Sequence, residues 1–116
     1  MLQLTPQTRI FLAVEPADFR AGIDGLAQHC RRHLEQDPFS GALFVFRNKS
    51  RTALKILAYD GQGFWLCMKR FSQGKLTWWP HSSESVCGLT HRQLQLLLWN
   101  GNPDLLALPA DWKRVA

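Results

Sequence analysis

The sequence predicts an α+β domain in which an antiparallel sheet of about five strands packs against two helices. Two segments place apolar residues at helical spacing, which indicates two amphipathic helices. Between them lie several short runs rich in β-branched and aromatic residues, joined by polar turns that contain glycine. Short turns of this kind connect antiparallel neighbours. The length of 116 residues suits one domain.

The first strand is predicted at residues 9–14, RIFLAV, and the EPAD sequence after it breaks the strand. Asp18 is a good N-cap for a helix that follows. The apolar face of this helix consists of Phe19, Ile23, Leu26, Ala27, Cys30 and Leu34. Pro38 ends the helix, because the residue before a proline avoids the α-helical region.

Four further strands form a predicted meander, at residues 42–47, 52–59, 64–71 and 76–79. The polar segments 48–51, 60–63 and 72–75 are the turns between them. With the N-terminal strand, the meander makes a sheet of five strands. Residues 80–88 are polar and are expected to form a loop.

A second helix begins at Thr90, where Gln93 completes a capping box. Leu94, Leu97 and Leu98 form its apolar face, and Asn100-Gly101 ends it.

We therefore expect one compact domain over residues 1–101 and a C-terminal tail over residues 102–116. Trp112 is the residue that could attach this tail to the body of the domain.

Composition indicates a reduced, cytoplasmic protein. No stretch approaches ~18 consecutive apolar residues, and the N-terminus lacks the pattern of a signal peptide. The three cysteines, Cys30, Cys67 and Cys87, are odd in number and lack metal-binding spacing. We expect free thiols, no membrane contact and no cofactor.

The formal charge of +5 is unevenly distributed. Seven basic residues fall in one stretch, with Asp60 as its only acid: Arg47, Lys49, Arg51, Lys55, Lys69, Arg70 and Lys75. Such a patch attracts phosphate backbones, and these seven are the candidate nucleic-acid-binding residues. The alternative is a solvated surface that keeps the protein soluble.

Aromatic residues are interleaved with these cations. Lys55, Leu57 and Tyr59 share one face of their strand, and Trp65, Cys67 and Lys69 share one face of the next. If the turn aligns the two sets, one sheet face could stack bases and hold phosphates. The alternative is that these rings belong to the core.

Catalytic and metal sites are not indicated. His29 and His33 lie one helical turn apart but lack an obvious third ligand. The carboxylates of Asp18, Asp24 and Asp60 have simpler interpretations as a cap or turn residues, and no nucleophile or phosphate-loop motif is present. We expect no enzymatic activity.

Five segments together resemble the TnpB-type accessory proteins of the insertion-sequence-66 transposons. They are DFRAGIDGL (18–26), DPFSGALFVFRN (37–48), LKILAYDGQGFWL (54–66), KRFSQGKLTWW (69–79) and LTHRQLQLLLWNG (89–101). The resemblance implies a role in transposition beside a DDE transposase and a second small accessory protein. It supplies no catalytic residues. The long RNA-guided nuclease of the same name is a different protein.

The resemblance also adds meaning to single residues. Arg20 and Asp24 fall within a family motif, and at helical spacing they could form an ion pair or contact a partner. Arg47 and the turn after it match the basic hairpin tip of the family, and Lys55, Lys69 and Arg70 match further basic positions.

Two functions fit these observations. One is an accessory protein that binds DNA with low sequence specificity through the basic meander. The other is an adaptor that holds the transposase or the second accessory protein, with Trp79, Trp99 and Trp112 as candidate anchors.

Overall fold

The computed structural model describes residues 5–102, which form two helices and one sheet of five strands. In chain order the elements are β1 (Ile10–Ala13), α1 (Ile23–Arg32), β2 (Leu43–Arg47), β3 (Ala53–Tyr59), β4 (Phe64–Arg70), β5 (Val86–Leu89) and α2 (His91–Leu98). The predicted α+β fold class is confirmed. Residues 103–116, which include Trp112 and most of the expected tail, lie outside the described residues.

The sheet has the strand order β4-β3-β2-β1-β5. β2, β3 and β4 form an antiparallel meander, and β5 pairs antiparallel with β1. β1 and β2 are parallel, with Ile10 opposite Leu43, and α1 lies in the connection between them. The sheet is therefore mixed, although most of its pairings are antiparallel.

The predicted fourth strand of the meander was wrong, because residues 76–79 are not a strand. Leu76 and Trp79 are buried in the core, and the Trp79 indole Nε1 donates to the carbonyls of Ala13 and Val14, both at 3.1 Å. These contacts hold the segment across the sheet instead of along β4. The fifth strand is β5, which begins within the segment 80–88 that was expected to be a loop and covers the open edge of β1.

The core has two layers, one on each face of the sheet. On one face, α1 packs through Leu26 and Cys30 against Phe44, Phe46 and Leu57. Burial raises the pKa of the Cys30 thiol to about 12. On the other face, α2 packs through Leu94 and Leu97 against Ile10, Leu12, Val45, Leu54 and Ile56. Each such side chain stabilises the fold by roughly 1.5–3 kcal/mol through removal of apolar surface from water.

The second helix forms as predicted. The Thr90 side chain accepts from the Gln93 backbone N–H, and the Gln93 side chain accepts from the Thr90 N–H, which completes the capping box. Asn100 has a left-handed backbone with φ of 60°, and the Gly101 N–H donates to the carbonyl of Leu96 at 2.8 Å. These contacts end the helix where the sequence indicated.

The first helix begins later than predicted. Its N-cap is Gly22, so Asp18 is not a helix cap. The Asp18 carboxylate instead accepts from the backbone N–H and the guanidinium of Arg20, with an Nη2–Oδ2 distance of 2.7 Å. Of the two alternatives for Arg20, the ion pair with Asp24 is not formed, because Arg20 pairs with Asp18. The physical reason is that the Ala17 N–H donates to the carbonyl of Arg47, which holds this segment against the end of β2.

Lys55 also holds the segment that connects β1 to α1. Its side chain is 8% exposed, and its Nζ donates to the carbonyls of Phe19 at 2.9 Å and Ala21 at 3.0 Å. The ammonium also lies 5.0 Å from the centre of the Phe19 ring. A buried ammonium is tolerated only where such partners replace water. Lys55 therefore joins β3 to the segment that leads into α1.

Replacing Lys55 with Met should lower the free energy of unfolding by about 1–3 kcal/mol, because two carbonyls lose a charged donor. Urea denaturation followed by circular dichroism measures this. Lys49→Met is the matched control, since Lys49 is exposed, and it should change stability by no more than about 0.5 kcal/mol. Equal stability of the two variants would show that the Lys55 contacts are not structural.

Candidate nucleic-acid interface

Strand pairing brings most of the candidate cations to one end of the sheet. Arg47, the last residue of β2, lies opposite Leu54, and Arg70, the last residue of β4, lies opposite Ala53. The loop after β4 returns to the same place, because the Leu76 N–H donates to the carbonyl of Arg51 at 2.8 Å. We call this surface the basic end; its cations are Arg47, Lys49, Arg51, Lys69, Arg70 and Lys75.

Three of these cations are exposed and uncommitted. Lys49, Arg70 and Lys75 are exposed, and none of their side chains has a hydrogen bond or ion pair to another described residue. Such side chains can reach a phosphate without breaking contacts within the protein.

Arg47 is held more tightly. Its guanidinium lies 5.8 Å from the centre of the Trp79 ring, and its Nη1 donates to the carbonyl of Asn48. Its Nε is buried and has no hydrogen-bond partner among the described residues. Burial and then the neighbouring charge of Arg51 lower the pKa of Arg47, although an arginine remains charged at neutral pH. Two cations thus lie close together with one donor unsatisfied.

Lys69 has a contact that the sequence did not reveal. Its Nζ donates to the carbonyl of Leu98, at the C-terminus of α2, and lies 5.4 Å from the centre of the Phe71 ring and 5.9 Å from that of Trp99. A cation at a helix C-terminus is favoured by the helix dipole. Lys69 therefore belongs to the basic end, but its ammonium already donates a hydrogen bond within the protein.

The proposed sheet face with two lysines and two rings does not exist. Lys55 lies opposite Met68, and Trp65 lies opposite Ala58, so the register places Lys55 and Trp65 on opposite faces. Lys55 is buried, and we omit it from the candidate interface. Leu57 and Tyr59 share the face of Lys55, where α1 covers Leu57 and Tyr59 is half-buried. Trp65, on the other face, is 42% exposed, so the core alternative does not describe both rings either.

Acidic groups at this end offset part of this charge but not all of it. The hydrogen bonds from Arg20 lower the pKa of Asp18 to about 2, so at neutral pH the two charges cancel. Glu15 and Glu84 are exposed in loops at the same end of the sheet. The basic end therefore keeps a net positive potential, which attracts polyanions.

Asn100 organises one wall of the basic end. Its side-chain Oδ1 accepts from the Thr77 N–H at 2.9 Å, and its Nδ2 donates to the carbonyl of Lys75 at 3.0 Å. The Thr77 hydroxyl donates to the Asn100 carbonyl at 3.0 Å. From its sequence position, Asn100 was predicted only to end α2. Its second role depends on where the loop after β4 passes, which sequence spacing did not indicate.

The described residues were also compared with the requirements of a metal site and of a membrane-spanning helix. Among the described residues, no three His, Cys, Asp or Glu side chains are grouped closely enough to hold a metal ion. His29 and His33 stack on each other with ring centres 4.6 Å apart. No helix within residues 5–102 is long and apolar enough to cross a membrane.

Replacing Asn100 with Gly keeps the left-handed backbone but removes the side-chain contacts to Thr77 and Lys75. We expect a loss of roughly 1–2 kcal/mol in unfolding free energy and faster hydrogen exchange of the Thr77 amide. Hydrogen exchange followed by NMR measures this. The amides of β3 serve as the internal reference, and unchanged Thr77 exchange would mean that Asn100 does not hold the loop.

Known proteins similar to this chain agree with the resemblance seen in the sequence. The model of a family described as IS66 Orf2 like protein matches residues 8–103. Two similar proteins come from Sinorhizobium fredii (strain NBRC 101917 / NGR234). "Uncharacterized protein y4hO" is 35% identical over 98 residues, which is 84% of each chain. "Uncharacterized protein y4jC" is 34% identical over 107 residues, which is 92% of this chain and 83% of the relative. No solved structure gives a significant match.

Proposed function

The chain belongs to the IS66 Orf2-like protein family, which implies an accessory role in transposition, and we propose that it contributes to that role by binding DNA through the basic end. It does so without catalysing a reaction. The DDE transposase and the second accessory protein of the same element are the partners with which it acts.

The observation that carries this proposal is the position of the uncommitted cations. Lys49, Arg70 and Lys75 come from three separate segments, yet strand pairing and the loop after β4 place all three at one end. A duplex presents phosphates at regular spacing, so cations gathered on one surface can neutralise several at once.

Low sequence specificity follows from the position of the helices. Both α1 and α2 pack their apolar faces on the sheet, and α2 carries only one cation, Arg92. The exposed arginines of α1, Arg31 and Arg32, lie in its last turn, away from the basic end, so neither helix presents a row of cations there as a recognition helix would. Contacts to the phosphate backbone position a protein but do not read sequence.

Replacing Lys49 and Arg70 together with Ala should weaken binding to duplex DNA and reduce its dependence on salt. Each lost phosphate contact lowers the slope of log affinity against log salt by about 0.9, so the double variant should lose about 2. Fluorescence anisotropy of labelled duplex DNA across a salt series measures both quantities.

The matched control removes the same charge from the opposite end of the sheet. Arg32 ends α1 and Arg92 lies in the first turn of α2, and both are exposed. Replacing both with Ala should leave the salt slope nearly unchanged. Equal slopes for the two double variants would show that net charge, and not the basic end, determines binding.

An adaptor function is the second candidate, and the outer edge of β4 favours it. β4 is an edge strand, and Trp65 and Met68 are 42% and 52% exposed on its opposite faces. An open edge with exposed apolar side chains can pair with a strand of another protein. Trp99, 84% exposed, is a further anchor.

The other two candidate anchors, Trp79 and Trp112, give no support to the adaptor function. Trp79 is buried and bound to Ala13 and Val14, so it is not available to a partner. Trp112 lies outside the described residues. Binding of the transposase that resists salt, together with no binding of DNA at low salt, would favour the adaptor function over DNA binding.

A further inference from the structure

A groove of about 470 Å³ opens beside the basic end, and Arg51 is the one cation of that end among its described lining residues. Its described lining consists of Arg51, Thr77, Trp78, Trp79, Pro80, His81 and Cys87. The volume falls within the range of small-molecule sites, which is roughly 300–1,000 Å³. The lining therefore combines two aromatic side chains with a cation and a histidine.

Hydrogen bonds hold the walls of this groove in place. The Trp79 indole donates to the carbonyls of Ala13 and Val14, and Asn100 holds Thr77 through both its backbone and its side chain. The carbonyl of Arg51 accepts from the Leu76 N–H. The groove is therefore formed without a ligand, which reduces the entropy lost on binding.

The electrostatics of the groove favour an anion. Arg51 lines it, and the Arg47 guanidinium, which is not among the lining residues, lies 5.8 Å from the centre of the Trp79 ring. No Asp or Glu is among the described residues that line the groove. Glu15 offsets part of the charge of Arg47 but is not among the residues that line the groove, so Arg51 is the cation that favours a bound anion there.

The aromatic side chains of the groove further restrict which ligand fits. Trp78 is half-buried and packs partly on the α2 side of the core, while it also lines the groove. An indole ring beside an arginine suits a ligand that carries both a planar base and a phosphate. Bases inside a duplex are stacked on each other and cannot enter such a groove.

We propose that this groove binds one unpaired nucleotide of single-stranded DNA, with the base against Trp78 and the phosphate at Arg51 and His81. The inference rests on the proposed function, since it names the form of DNA that the basic end delivers to the groove. Lys49, Arg70 and Lys75 hold the backbone on either side, and the groove adds a preference for unpaired DNA.

The test compares labelled oligothymidylate of about ten nucleotides with a duplex of equal length, by fluorescence anisotropy at constant low salt. Trp78→Ala should weaken binding of the single strand roughly tenfold, the size of one base–aromatic stack, and leave duplex binding nearly unchanged. His81→Ala and Arg51→Asn should reduce single-strand affinity several-fold. Asn suits position 51 because φ there is 63°.

The His81→Ala variant guards against a folding artefact, since Trp78 also contacts the core. His81 is exposed, and its replacement should leave the circular dichroism spectrum unchanged. Arg92→Ala is the matched control for loss of one charge, and it should alter neither affinity.

Alkylation of the cysteines gives a second readout. Cys87 lines the groove, whereas Cys67 lies in the middle of β4, opposite Ile56. Oligothymidylate should slow the reaction of Cys87 with iodoacetamide and leave that of Cys67 unchanged. Cys30 should stay unreactive with or without DNA, because its pKa is about 12.

The outcomes separate the two proposals. Equal effects of Trp78→Ala and His81→Ala on single strand and duplex, or no protection of Cys87, would overturn the groove while leaving DNA binding at the basic end intact. No binding of either DNA at low salt would overturn the proposed function as well.

Discussion

The parallel pairing of β1 with β2 is the constraint on which the rest of the structure depends. Parallel neighbours need a crossover, which α1 supplies while covering one sheet face. The pairing also makes β1 and β2 finish at the same end, where β3 begins and β4 ends. The loop between β4 and β5 must then cross that end before β5 can pair with β1. Cations from the β2–β3 turn, β4 and this loop are therefore gathered on one surface.

Local signals were enough to predict most of the elements. Runs of apolar and aromatic residues between polar turns located β2, β3 and β4 within one residue at each end, and the capping box located α2. The failures involve contacts between distant segments. Residues 76–79 have the composition of a strand, but Trp79 finds its partners in Ala13 and Val14, more than sixty residues earlier. The residues of β5 carry only a weak strand signal, and the strand forms through its pairing with the free edge of β1.

The candidate interface was also predictable only where local sequence determines exposure. Turn residues such as Lys49 are exposed whatever the register, so their position needed no tertiary information. Lys55 is different: whether it faces solvent or the connection before α1 depends on which side of the sheet β3 presents to that segment. The groove beside Trp78 depends on Asn100 holding a loop more than twenty residues away in sequence. No spacing rule reveals such a contact.

NMR titration of the labelled protein with duplex DNA at low salt tests the central claim most directly. The account predicts that the largest amide shifts fall in residues 47–52 and 69–77, which form the basic end, while those around Arg32 and Arg92 stay small. Shifts that decrease together as salt is added would identify phosphate contacts as their source. Shifts concentrated around Arg32 and Arg92, or spread evenly over the surface, would contradict the account.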